Sequence, residues 1–155
     1  PAPAPGRTEL LRAAMIAKVA RFVDWPAAPV PPVAFTLCVP LEHPLLAALR
    51  AYYRRASIGQ LPVLVRALRK GEPLAGCRAA IVLPGAPEEL AMLRAEAGRE
   101  HVLLIGEGDE AAALGVHIGF FPDLGRMRVE VNRKALEASG LKASFRLLEV
   151  AKIVE

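Results

Sequence analysis

Arg126-Met127-Arg128-Val129-Glu130-Val131-Asn132 decides how the chain is read, because polar and apolar residues alternate along it with the period of two that marks a half-buried strand. Asn132 is placed to cap a helix over Lys134 to Ala138, its side-chain oxygen accepting one of the free N–H groups at the helix start. Gly140 ends that helix at low steric cost. From Leu141 onward Phe145, Leu148 and Ile153, with Leu147 and Val150 beside them, recur at helical spacing, so a final amphipathic helix with one buried face is expected.

Immediately upstream, Val116 to Phe121 reads as a strand that pairs antiparallel with Arg126 to Val131 around Pro122-Asp123-Leu124-Gly125. Further back the pattern alternates strand and helix. Val33 to Val39 is a near-continuous apolar run suited to a central strand, followed by a helix over Pro44 to Tyr53. Leu61 to Val65 is a second strand, with Pro62 tolerated at its start or on an edge. Arg78 to Leu83 and His101 to Ile105 supply two more strands, separated by a helix over Pro87 to Ala97 with Glu88 and Glu89 in its first turn. Asp109 to Leu114 reads as a short helix. The expected fold is α/β, a Rossmann-like sandwich of a mixed, mostly parallel sheet flanked by helices, with an antiparallel C-terminal strand pair.

The N-terminal helix is expected to be capped by Thr8 and to bury Leu11, Met15, Val19 and Phe22. It stops at Asp24-Trp25-Pro26, where proline disfavours helical geometry in the preceding residue. Trp25 either plugs the core beside the first long strand or faces a partner. Pro1 to Gly6 reads as a flexible leader, having no basic segment followed by an apolar core, and residues 7–155 as a single domain.

The 155 residues fit one core, built mainly from aliphatic side chains because 54% are hydrophobic and only 5% aromatic. A net charge of +4, scattered along the chain, does not call for nucleic acid. No apolar run approaches the roughly 20 residues that span a bilayer as a helix.

Catalytic and metal chemistry find little support. Gly106-Glu107-Gly108-Asp109-Glu110-Ala111 satisfies a loose dinucleotide pattern, but three carboxylates would stand beside the pyrophosphate. A tight strand-to-helix turn accounts for it better. His43, His101 and His117 have no metal-ligand spacing, and Ser57, Ser139 and Ser144 lie in no nucleophile elbow. No catalytic residue, metal or cofactor is assigned. Cys38 and Cys77 are too few for a zinc site and too far apart for a C-x-x-C motif, leaving two buried thiols or a disulfide. Simple parallel register would hold them apart, since Cys38 comes late in its strand and Cys77 just before its own.

Phe22-Val23-Asp24-Trp25-Pro26, Ile118-Gly119-Phe120, Arg128 to Asn132, Ala138 to Lys142 and Arg146-Leu147-Leu148 together resemble the YfiR-like periplasmic regulators, whose characterised members restrain an inner-membrane diguanylate cyclase. The resemblance covers nearly the whole chain after the leader. It implies a non-enzymatic, periplasmic homodimer that binds the periplasmic sensor region of such a cyclase and lowers cyclic di-GMP signalling, with an outer-membrane lipoprotein as a further potential partner. It also implies a disulfide between Cys38 and Cys77. A second cysteine pair that some relatives carry in the segment matching Glu110 to Gly119 is missing from this chain. For the partner surface the resembling motifs point to Ile118, Phe120, Glu130, Asn132 and Leu136, which would otherwise serve as core, cap and strand residues. Two other readings stand beside the repressor: a small-molecule sensor using a cleft around Gly106 to Asp109, and a cytosolic enzyme with a nucleotide cofactor.

Overall fold

A computed structural model describes residues 4–154. The first three leader residues and Glu155 lie outside the described part.

In chain order the elements are α1 (Arg7–Ala20), β1 (Val23–Asp24), β2 (Phe35–Pro40), α2 (Leu46–Tyr52), β3 (Ser57–Ile58), β4 (Leu61–Leu68), β5 (Ala79–Val82), α3 (Pro87–Glu100) and β6 (Leu103–Glu107). They continue with β7 (Ile118–Asp123), β8 (Arg126–Asn132), α4 (Arg133–Ala138), β9 (Lys142–Ala143), α5 (Phe145–Val150) and β10 (Lys152–Val154). The main sheet runs β10-β8-β7-β6-β5-β2-β4-β3. Strands β4, β2, β5, β6 and β7 are mutually parallel, and β8 is antiparallel to β7. β1 and β9 form a separate antiparallel pair. The expected mostly parallel α/β sandwich is what the chain builds.

Because neighbouring side chains on a strand point to opposite faces, each central strand feeds two cores. Phe35, Leu37 and Val39 of β2, Ile81 of β5 and Leu103 and Ile105 of β6 join Ile16 and Val19 of α1 and Leu49 of α2 on one face. Cys38, Ala80 and Leu104 join Leu74, Cys77 and Ala97 of α3 on the other. Both faces are apolar, which is why the sequence shows runs rather than clean alternation here.

The β7–β8 hairpin turns through Leu124 and Gly125, both at positive φ (50° and 78°), the backbone of a type I′ turn whose twist suits the flanking strands. Its register pairs Asp123 with Arg126 and Ile118 with Val131. Asn132 caps α4 as expected, its side chain accepting from the N–H of Ala135 at 3.0 Å, and Gly140 follows at φ 79°.

Four expectations need correction. Helix α1 begins one residue before Thr8; Gly6 is its N-cap, and the Glu9 carboxylate accepts from the Gly6 N–H at 2.9 Å. Its buried stripe is Ala13, Ile16, Val19 and Ala20, while Leu11 is 60% exposed. Ile16 and Val19 fill this face while the small Ala13 and Ala20 let α1 lie close to the sheet, and Met15 and Phe22 are half-buried beside them. The segment from Asp109 to Leu114 forms successive turns instead of a helix, between Gly108 (φ 109°) and Gly115 (φ 106°). The C-terminal amphipathic helix is only α5, with Leu147 as its buried residue; Phe145 and Val150 point outward, and Ile153 belongs to β10. After one and a half turns the chain gains more by adding a strand alongside β8, Ile153 standing opposite Val131.

The disulfide between Cys38 and Cys77 is closed, with Cα atoms 5.8 Å apart. Strand register alone would not allow it, since Cys38 stands opposite Ala80. A turn ahead of β5 supplies the reach: Gly76 sits at φ 86° and the Cys77 N–H donates to the Leu74 carbonyl at 2.9 Å, returning the thiol over the sheet.

Candidate functional site

Ile118, Phe120, Glu130, Asn132 and Leu136 converge where β7, β8 and α4 meet, and every one of them is buried. Ile118, Phe120 and Leu136 belong to the larger core together with Val131 and Leu147. Asn132 links three segments: it caps α4, its Nδ2 donates to the Ala112 carbonyl at 2.8 Å, and its backbone N–H donates to His117 at 2.9 Å. Glu130, 5% exposed, stands opposite Lys152 of β10, whose ammonium lies 3.7 Å from its carboxylate. In the isolated chain these five side chains therefore shape the surface above them instead of presenting one.

That surface belongs to α5 and β10. Ser144 caps α5, its hydroxyl accepting from the Leu147 N–H at 3.4 Å, and this start angle sends Leu147 inward while Phe145 stays 74% exposed. Val150 is 78% exposed, and Ile153 on the edge strand is partly exposed, at 44%. Exposed Arg146, Glu149 and Lys152 are interspersed with them. Apolar side chains among charges, on an open sheet edge, are the ingredients of a protein-binding surface.

The sequence matches the YfiR/HmsC-like family over residues 9–152, a span that runs from α1 into β10. The chain belongs to the YfiR/HmsC-like family. A search of curated proteins found no match. The phrases that carry the resemblance occupy defined places in this YfiR/HmsC-like chain. Trp25, at the exit from α1, stacks edge-on against Phe35 with ring centroids 5.6 Å apart and donates from Nε1 to the Arg78 carbonyl at 3.1 Å. The Arg78 guanidinium covers its ring at 4.4 Å. Trp25 is thus a plug beside the first long strand.

Packing against Gly119 explains Gly106 and Ala111 of the glycine pattern that resembled a nucleotide site, while Gly108 turns the chain at φ 109°. Gly106 and Gly119 are direct neighbours across β6 and β7, and a Cβ at either would press on the methyl of Ala111, at 3.3 and 3.2 Å respectively. Gly106, Gly119 and Ala111 let the turn segment lie flat on the sheet, which is a packing role. Beside it, at the carboxyl ends of β5 and β6, is a cleft of about 260 Å³ lined by Val82, Leu90, Leu93 and Val116 and rimmed by Glu89, Glu107, Asp109 and Glu110. Such a rim disfavours a phosphate and favours a cation.

Two of those carboxylates are already engaged: the Lys70 ammonium lies 3.5 Å from Glu89, and Glu107 is held by a cluster of its own. Arg12 of α1 donates from Nε to Glu107 Oε2 at 2.7 Å and from Nη2 to the same oxygen, while His43 Nε2 lies 3.8 Å from Oε1. His43 Nδ1 accepts from the Leu45 N–H at 3.0 Å, so the neutral ring turns its Nε2–H toward Glu107. Burial holds its pKa below the ordinary histidine value, the Glu107 charge partly opposing this. The cluster ties α1, the loop after β2 and the end of β6 together in the crevice where α/β folds commonly bind ligands. Three residues so far apart in sequence carry no spacing signal. Among the described residues no group of three or more His, Cys, Asp or Glu side chains is placed to hold a metal ion, and no helix is long and apolar enough to cross a membrane.

Proposed function

We propose that this chain is a non-enzymatic periplasmic regulatory protein that binds and represses the periplasmic sensor region of an inner-membrane diguanylate cyclase, lowering cyclic di-GMP signalling. The observation that carries the proposal is the family match along residues 9–152. Exposed Phe145 and Val150 beside the open β10 edge support it by offering apolar contacts without disturbing the core. Ile118, Phe120, Glu130, Asn132 and Leu136 enter the proposal as the framework that sets this surface, Glu130 reaching it through Lys152. Repression requires tighter binding to the inactive cyclase than to the active one, and no bond need be made or broken. A second copy of the chain would pack on α1, where Leu11 is uncovered. An outer-membrane lipoprotein would act as a competitor that draws the repressor away.

The test is a cross-linking pull-down from envelope membranes under non-reducing conditions, with recovered proteins identified by mass spectrometry. Recovery of a membrane diguanylate cyclase, lost in Phe145→Asp and Val150→Asp variants, is the expected result. A cyclase present in the membranes yet absent from the catch would overturn the reading. The cleft beside Gly106 to Asp109 favours a second reading, a small-molecule sensor taking a cationic ligand, for which ligand-dependent thermal stabilisation is the check.

A further inference from the structure

The strand-end cleft is rimmed by acids; a second cleft, of about 370 Å³ between α3 and α4, has the opposite character. Five of its lining residues are small, Ala91, Ala95 and Gly98 from α3 and Ala135 and Ala138 from α4, which leaves apolar room between the helices. Its remaining lining residues are Arg94, His117 and Ser139. Among the described residues no carboxylate side chain lines it.

The hydrogen bonds fix which protons these groups can offer. His117 is 1% exposed, and its Nδ1 accepts from the Leu104 N–H at 3.0 Å. The ring must then carry its proton on Nε2, which faces the Ser139 hydroxyl at 3.0 Å. Ser139 Oγ is thereby an acceptor from His117, and its own O–H proton has no acceptor among the described residues, although the residue is only 5% exposed. Ser139 lines the cleft, so its hydroxyl proton is free to be donated to an acceptor bound there.

Arg94 supplies a positive charge at the exposed rim of the cleft. No carboxylate among the described residues lies within ion-pair distance of it. Its guanidinium rests over Gly115, where a Cβ would come within 2.7 Å of Cζ, so the glycine provides the space in which this head group sits. Its charge reaches His117, whose pKa it helps to lower.

We propose that the cleft between α3 and α4 binds a small carboxylate with an apolar body, its oxygens accepting from the Arg94 guanidinium and the Ser139 hydroxyl while the body lies on the alanine-lined walls. The guanidinium fork matches a carboxylate in two parallel hydrogen bonds. His117 is a positioning residue: by donating to Ser139 it turns the hydroxyl proton outward to the ligand. This site is separate from the α5–β10 surface and does not rest on the repressor reading.

The test is an NMR titration of the intact chain at pH 7 with benzoate, inorganic phosphate and chloride, following the Ser139 amide and the His117 ring. Benzoate should give saturable shifts at both, with chloride giving none. Arg94→Gln, at an exposed position, should weaken benzoate binding roughly tenfold or more with the thermal midpoint unchanged, as expected for loss of a charge-assisted pair. Arg99→Gln on the same helix should leave binding intact. Absence of saturable shifts, saturation by phosphate but not benzoate, or equal weakening by Arg99→Gln would each overturn the proposal.

Discussion

The Nδ1 atom of His117 accepts a hydrogen bond from the backbone N–H of Leu104 at 3.0 Å, joining the residue before β7 to the beginning of β6. Protonating that nitrogen destroys the bond and buries a charge. Burial, aided by the Arg94 charge, lowers the His117 pKa to about 4. The unfolded chain, with an ordinary histidine near 6.5, then binds more protons than the folded one between those values. Stability is present above the unfolded pKa and is lost as pH falls, by about 1.4 kcal/mol per unit and roughly 3 kcal/mol across the window. Urea midpoints at pH 7.5, 6, 5 and 4 should trace this decline, and His117→Gln should flatten it. An unchanged slope in the variant would assign the acid sensitivity elsewhere.

The Cys38–Cys77 bond closes a sequence separation of 39 residues. Chain-entropy reasoning gives such a loop about 4 kcal/mol relative to an uncross-linked unfolded state. Cys38→Ala/Cys77→Ala should lower the free energy of unfolding by about that amount, read from urea curves with and without a reductant. The reductant should shift the native protein and leave the double variant unmoved.

Gly119→Ala should destabilise although alanine suits a strand better than glycine, because its methyl would lie 3.2 Å from Ala111 Cβ and 3.3 Å from the Ala112 nitrogen. Overpacking of this kind costs about 1–3 kcal/mol. Adding Ala111→Gly should recover part of the loss, since one of the two contacts is then relieved. Additive losses would mean the two sites do not share the contact.

Phe145→Asp and Val150→Asp change exposed side chains and should alter stability by no more than about 0.5 kcal/mol. Leu136→Ala, in the core, should cost about 2–5 kcal/mol. If the surface variants fold normally but no longer lower cyclic di-GMP in cells carrying the cyclase, the α5–β10 contact surface stands. Full repression by both would sink it.

Much of the fold could be read from residues whose local chemistry and tertiary role agree. The Leu124-Gly125 turn, the alternating Arg126 to Val131 strand and the Asn132 cap are of this kind. Misreadings arose where tertiary packing decided. Leu11 was expected in the stripe of α1 by size and is exposed, whereas Met15 and Phe22 do pack on the core and the sheet also accepts Ala13 and Ala20. Phe145, Leu148 and Ile153 carry helical spacing, but pairing with β8 draws Ile153 into a strand. The disulfide was implied by resemblance and made possible by a turn that spacing could not disclose. Neither Arg12 beside Glu107 nor Arg94 near His117 left any trace in the sequence, because each contact joins distant segments through the topology of the sheet.

The small pair of β1 and β9 matches Val23 with Ala143, and the Ser144 N–H donates to the Phe22 carbonyl at 2.8 Å. Most of the chain lies between these residues. As it leaves the ribosome, β1 has no partner until the last elements emerge, and the entropy of closing so long a loop makes this a late step in folding. Until Ala143 is in place the exit of α1 stays unpaired, so this small ladder, far from the central strands, closes the fold around the first helix.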